Sequence, residues 1–310
     1  MASGSTRAII AALIANMGIA VAKFAGYVFT GSSSMLAEGI HSVADTINQG
    51  LLLLGGHRSR KGATAQHPFG YGRERYFWAF VVSLILFTLG GLFAVFEGIS
   101  KLIEGGHGIE NVGWALGILI FGMLLEGYSF RTAVKESSLL KGRSGWWQFI
   151  RHSRNPELPV VLLEDFGALV GLLLALIGIS LSAVTGNSRW DAYGTIAIGV
   201  LLLAIAIVLV IEMKSLLIGE SAREPVRRSI VDAIERTDHV ERVIHMRTQH
   251  IGPEELLVAA KVEFDQRLDS ENLTDVIDRV EANVRDVAPI ANLIYIEPDF
   301  HDPNHPEAAN

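Results

Sequence analysis

Six apolar segments, near residues 8–29, 33–56, 76–103, 112–134, 158–184 and 190–217, leave this chain few ways to fold. Each is long enough to cross a hydrocarbon core, which takes about 20 helical residues with some tilt. In lipid a segment must satisfy its own backbone hydrogen bonds, so all six are expected to be helices. Half of the residues are hydrophobic and the mean hydropathy is +0.35, too apolar for an ordinary soluble protein. The opening MASGST, followed by Arg7, has no separate hydrophobic region and cleavage site ahead of the first span, so no signal peptide is expected.

The loops set the orientation. Residues 57–75 carry Arg58, Arg60, Lys61, Arg73 and Arg75, and residues 135–156 carry Lys135, Lys141, Arg143, Arg151 and Arg154. The alternate loops, 30–32, 104–111 and 185–189, contain Arg189 alone. Basic loops stay on the cytoplasmic side, which puts both termini there, and an even number of spans requires the same.

After Ser215–Glu220 the character changes. From Glu220 onward there are 20 acidic and 10 basic residues, against 13 acidic and 16 basic before it. REPVRRSIVDAIERT has helical periodicity with proline early, where it is tolerated. VERVIHMRTQH and ELLVAAKVEF are strand-like around the turn IGPEE. SENLTDVIDRVEANVRDV reads as a helix with Ser270 as its N-cap, and ANLIYIEPDF as a strand stopped by Pro298. The expected fold is an α-helical membrane protein of six transmembrane helices, residues 1–218, followed by a small cytoplasmic α+β domain, residues 219–300, in the order α-β-β-α-β (ferredoxin-like). A polar tail occupies 301–310. The chain has no cysteine, which excludes disulfides and thiolate metal ligands.

The second segment carries the chemistry. In MLAEGIHSVADTINQGLLLL, residues 35–54, Glu38, His41, Asp45 and Asn48 step by three and four and form one polar stripe on an otherwise apolar helix. Ionisable groups at membrane depth are costly unless paired or used. His41 and Asp45, four apart, share a face from which both can bind one divalent ion, or can instead hydrogen-bond neighbouring helices. The fifth segment, PVVLLEDFGALVGLLLALIG, adds Glu164 and Asp165 about two turns inside it. Carboxylates on two spans with one imidazole suit zinc or a similar first-row dication. Neighbouring buried anions are explained by a shared cation. The adjacent carboxylates Glu164 and Asp165 point about 100° apart on a helix. Asn16 and Glu38 read as structural groups satisfying neighbouring helices, and Lys23, Glu97 and Glu126 as snorkelling or paired groups without a nameable partner.

The run TGSSSMLAEGIHSVADTINQ, the loop HPFGYGRERY, six spans and an acidic α-β-β-α-β tail together resemble the cation diffusion facilitator family, the zinc-transporter solute carriers. LLED in the fifth span and DTINQG in the second resemble its mitochondrial-exporter branch. The resemblance implies a homodimer in membrane lipid that exports a dication in exchange for protons by alternating access. The transported ion is zinc, or alternatively manganese, iron, cobalt or cadmium. Carried over, the metal ligands are His41, Asp45, Asp165 and Glu164, with His41, Asp45 and Asp165 also coupling protons. Val161 stands where most members have a further histidine. A zinc site in the 57–75 loop of some relatives is not expected, since Thr64 and Tyr71 replace two of its three ligands beside His67. Arg73 matches a basic residue that pairs with a carboxylate beyond the sixth span, here Glu220; the alternative is a juxtamembrane charge facing anionic headgroups. In relatives the soluble domain binds zinc between protomers. The candidates are His245, His250, Glu297, Asp299 and His301, which read equally as a solvated acidic surface.

Other classes fit less well. A metalloenzyme would need a string such as H-E-x-x-H, which the sequence lacks; a metal-gated channel or sensor is the remaining alternative. The expected location is a cell membrane, the bacterial inner membrane, with no nucleic-acid partner.

Overall fold

The computed structural model describes residues 2–104 and 111–301, with side chains from Asn16 onward. Apart from His301, the tail expected at 301–310 lies outside the described residues. The chain divides into two units: residues 1–57 with 75–214, and residues 58–74 with 215–310.

The first unit contains α1 (Ala2–Thr30), α2 (Ser33–Arg58), α3 (Glu74–Ile85), a π-helical stretch (Leu86–Leu92), α4 (Phe93–Glu104), α5 (Val112–Lys141), the short α6 (Trp146–His152), α7 (Glu157–Thr185) and α8 (Arg189–Ile218). With α3 to α4 forming one continuous run, these give six membrane-spanning helices. Four of them (Glu74–Glu104, Val112–Lys141, Glu157–Thr185 and Arg189–Ile218) are long and apolar enough by composition alone. The polar stripe makes α2 the less apolar helix. α5 runs beyond the expected 134 into the basic loop, and α6 is a helix where only a loop was expected.

Small residues bring the helices together, as expected where lipid provides no hydrophobic drive between them. A Cβ at Gly199 of α8 would lie 2.7 Å from the backbone nitrogen of Val95 in α4, and one at Gly178 of α7 would lie 3.0 Å from the carbonyl oxygen of Trp190. The first approach requires glycine, and at the second a Cβ would force the start of α8 to give way. The π stretch includes Gly90 and Gly91, and Thr88 Oγ1 donates to the carbonyl of Leu84 at 2.9 Å. Such bulges often mark functional sites, and this one borders the polar stripe: a Cβ at Gly90 would stand 3.8 Å from His41 Nδ1.

The second unit has the expected order α9 (Glu224–Glu235), β1 (Val240–Gly252), β2 (Glu255–Phe264), α10 (Ser270–Val287) and β3 (Leu293–Pro298). Strand order is β1-β2-β3, with β1 and β2 antiparallel and β2 and β3 parallel. Alternate residues of β2, from Leu256 to Phe264, are buried against Ile230 and Ile234 of α9 and Val276, Val280 and Val284 of α10. The N-cap of α10 is Asp269 rather than Ser270: its carboxylate accepts the Asn272 N–H at 2.9 Å, a charged acceptor at the positive end of the helix dipole.

Residues 58–74 belong to this unit although they link α2 and α3. One close approach is at Gly72, where a Cβ would stand 3.0 Å from the Ile251 carbonyl oxygen and 3.1 Å from the Gly252 Cα. Gly72→Val is therefore expected to lift the loop from the β1–β2 turn. Hydrogen exchange should rise at residues 58–74 and 250–256 and stay unchanged in α10. Unchanged exchange in the loop would show that Gly72 does not hold it.

Candidate metal site

The stripe on α2 faces the interior of the bundle. Glu38, His41, Asp45 and Asn48 are all buried, with His41 only 1% exposed. The Nδ1 of His41 lies 3.5 Å from Asp45 Oδ1. Neither imidazole nitrogen has a hydrogen-bond partner, nor does Asp45 Oδ1. Buried polar atoms are nearly always satisfied, because desolvating one without a partner costs about 1–3 kcal/mol. Three such atoms lie within about one turn of α2.

From α7, Glu164 completes the inner side of this group. Its Oε1 accepts the Asn48 amide at 2.6 Å, and its carboxyl is within hydrogen-bonding reach of Asp45. Asp165 turns away, its Oδ2 accepting the Ser129 hydroxyl of α5 at 2.9 Å. The two residues are consecutive on a helix and point about 100° apart, and the one that meets α2 here is Glu164. Among the described residues no three His, Asp and Glu side chains form a ready-made cage. Asp45 is the link between the two helices, with His41 Nδ1 3.5 Å from it and the Glu164 carboxyl within hydrogen-bonding reach, while Asp165 is held by Ser129.

Two further polar clusters escaped the sequence reading. Lys23 of α1, given no partner there, donates to Glu38 Oε2 at 2.9 Å and to Ser42 Oγ at 2.8 Å. The signal was a lysine midway along one span and a carboxylate in the stripe of the next. At the N-terminus of α2, Asp191 of α8 accepts the Ser33 N–H at 2.9 Å and the Ser32 hydroxyl at 2.8 Å, and pairs with Lys101 Nζ at 2.8 Å. A carboxylate from another helix thus caps α2 where its first N–H groups need acceptors.

In the second unit the candidates are spread out. His245, Lys261 and Glu297 lie opposite one another in register across the three strands. Lys261 Nζ is 3.5 Å from Glu297 and 3.1 Å from Asp299, so an ammonium already neutralises the acidic pair. Arg247 Nε donates to His245 Nε2 at 3.0 Å. His250 is buried at the far end of β1, its Nδ1 3.4 Å from the Gly252 carbonyl oxygen, and His301 is half-buried beyond β3. Arg73 is exposed, whereas the Glu220 carbonyl accepts the His250 N–H at 2.9 Å. The neighbouring Arg75 makes a bidentate pair with Glu157, tying α3 to α7, with Nη2 to Oε2 at 2.9 Å. In the loop, the His67 ring packs on Tyr71 with centroids 4.6 Å apart.

Residues 9–218 match the cation efflux transmembrane domain. A mitochondrial proton-coupled zinc antiporter of Xenopus laevis is 32% identical over 276 residues, covering 87% of this chain and 49% of that protein. The Homo sapiens protein of the same name is 30% identical over 249 residues, covering 79% and 44%. Metal tolerance protein C4 of Arabidopsis thaliana is 29% identical over 272 residues, covering 86% and 59%. The chain spans about half the length of these curated relatives.

Proposed function

The chain belongs to the cation efflux family, and on that footing we propose that it is a secondary transporter exporting zinc from the cytoplasm in exchange for protons. The observation that carries the reading is the His41–Asp45 pair with Glu164 against it: an imidazole and two carboxylates, buried together, with ring nitrogens and a carboxylate oxygen unpartnered. One imidazole among oxygen ligands suits zinc, and the same set accepts manganese, iron or cobalt with little discrimination.

The cycle needs His41 neutral and the carboxylates ionised to take the ion. In the cation's presence Asp165 leaves Ser129 and becomes the fourth ligand, a change of side-chain rotamer. When the ion departs, anions left in a dry pocket are stabilised by protons from the opposite side, so cation and protons alternate at one site. Alternating access is rocking of α1 to α8 about that site, with α7 and α8 closely packed at Gly178. We further infer a homodimer in the bacterial inner membrane with both termini cytoplasmic. Residues 219–300 are its dimerisation domain.

The test is zinc movement in proteoliposomes loaded with a zinc-sensitive dye. An imposed proton gradient should drive zinc against the direction of proton flow, and collapsing it with a protonophore should stop accumulation. Zinc equilibration that ignores the proton gradient would identify a channel. Weaker zinc binding at lower pH is expected, because protons and zinc claim the same atoms; pH-independent affinity would end the exchange mechanism.

A further inference from the structure

Lys23 is 0% exposed, and so is Glu38, its partner. Burying such a pair requires good geometry and satisfied remaining atoms to offset the loss of water. Here one carboxylate oxygen is unsatisfied. Glu38 Oε2 and Ser42 Oγ receive the ammonium, but Glu38 Oε1 is buried without a hydrogen bond. It occupies a notch on α7 that exists because residue 171 is glycine; a Cβ there would stand 2.6 Å from Oε1. A carboxylate with one free oxygen, a hydroxyl one turn on, and a covalently tethered cation seated on both describe a cation cradle.

We propose that Glu38 and Ser42 form a second divalent-cation station on the path out of the membrane, its place held in the metal-free protein by the Lys23 ammonium. The inference rests on the reading of α2 as the cation's route. Oxygen donors of this kind bind divalent cations. The station lies on the stripe toward Ser33, the end of α2 opposite the basic loop, so a cation leaving His41 toward that end meets Glu38 next. Taking it up requires the ammonium to move, and Glu126 of α5, close enough to act on Lys23 electrostatically, receives it. The tethered cation thereby keeps the second station closed to a second ion while the first is filled, then yields to the ion in transit. Charge is conserved throughout, since the ammonium exchanges one carboxylate for another.

The experiment is zinc binding to the purified full chain by equilibrium dialysis at pH 7.5, with metal content measured directly. The unaltered protein should bind one zinc at the membrane site. Lys23→Met empties the cradle and should bind one more, and Lys23→Met/Glu38→Gln should lose that extra zinc. Asp45→Ala in the Lys23→Met background should retain the extra zinc while losing the first. If the unaltered protein binds no zinc in the membrane unit, the transport reading itself falls and this inference with it. If Lys23→Met binds the same amount as the unaltered protein, only the second station is overturned. Should Lys23→Met fail to insert, Glu38→Gln decides. Zinc affinity at the first site should stay within about threefold while export slows at least tenfold, with Glu38→Asp restoring it. Export at the normal rate in Glu38→Gln would overturn the proposal.

Discussion

Asp45→Ala is expected to abolish zinc export while the protein still inserts and folds. In the proposed site Asp45 contributes a charged, buried oxygen, and removing one partner of a buried charged set costs about 3–5 kcal/mol. At about 1.4 kcal/mol per tenfold, zinc affinity should fall on the order of a thousandfold. Glu164→Ala should follow closely, because the Glu164 carboxyl is the one from α7 that reaches Asp45 and Asn48. Asp165→Ala should cost less, roughly tenfold to a hundredfold, since Asp165 must first give up its bond to Ser129. Calorimetric zinc titration and proteoliposome export give both numbers. An unaltered affinity in Asp45→Ala would remove the site. A larger loss for Asp165 than for Glu164 would mean that α7 turns by one residue when the cation binds.

That ordering differs from the ligand order the sequence suggests, and the reason lies in helix phase. Family resemblance favours Asp165, but which of two adjacent carboxylates faces α2 depends on how α7 is rotated. The rotation is set by packing further along the helix. Glu164, Gly171 and Gly178 repeat every seven residues, and Gly171 packs on Glu38 and Gly178 on the start of α8. Asp165 lies one position off that stripe. The signal was present in the sequence, as glycines at heptad spacing, but it speaks of packing and not of chemistry.

Elsewhere legibility followed range. The spans and the α-β-β-α-β order were readable because hydrophobic length and periodicity are local properties. The π-helical turn at Leu86–Leu92 was not, since Gly90-Gly91 is its only local sign and the rest of the span stays evenly apolar. Nor could periodicity assign residues 58–74 to the second unit, because that attachment is made through contacts distant in sequence, such as Gly72 against Ile251 and Gly252. Lys23 and Glu38 were each legible as costly, and only the fold could pair them. The hardest case was Asp191, which reads as the polar edge of a span, whereas its serine partners lie 158 and 159 residues away in sequence.

Asp191 also carries the largest expected effect on stability. Its side chain is fully buried and accepts from Ser32 Oγ, Ser33 N and Oγ, and Lys101 Nζ. Lys101 in turn donates to the Gly31 carbonyl oxygen at 3.1 Å, so one ion pair joins α8, α4 and the turn between α1 and α2. Asp191→Ala would strand an ammonium, two hydroxyls and the exposed dipole of α2 together, and the cost of leaving such a charge uncompensated is about 3–5 kcal/mol. Asp191→Asn keeps one acceptor oxygen for Ser33 but loses the charge and puts an NH2 donor where an oxygen accepted from Ser32, so it should fall between Asp191→Ala and the unaltered protein. Neutralising the lysine as well should recover part of the loss: Asp191→Asn/Lys101→Met is expected to be less destabilised than the sum of its single variants, because each single variant leaves one unpaired charge and the double leaves none. Thermal unfolding in detergent, followed by tryptophan fluorescence, gives the comparison. A melting temperature for Asp191→Ala within about a degree of the unaltered protein would show that the serines and Lys101 find other partners. Strict additivity in the double variant would show that the ion pair is not what joins these helices.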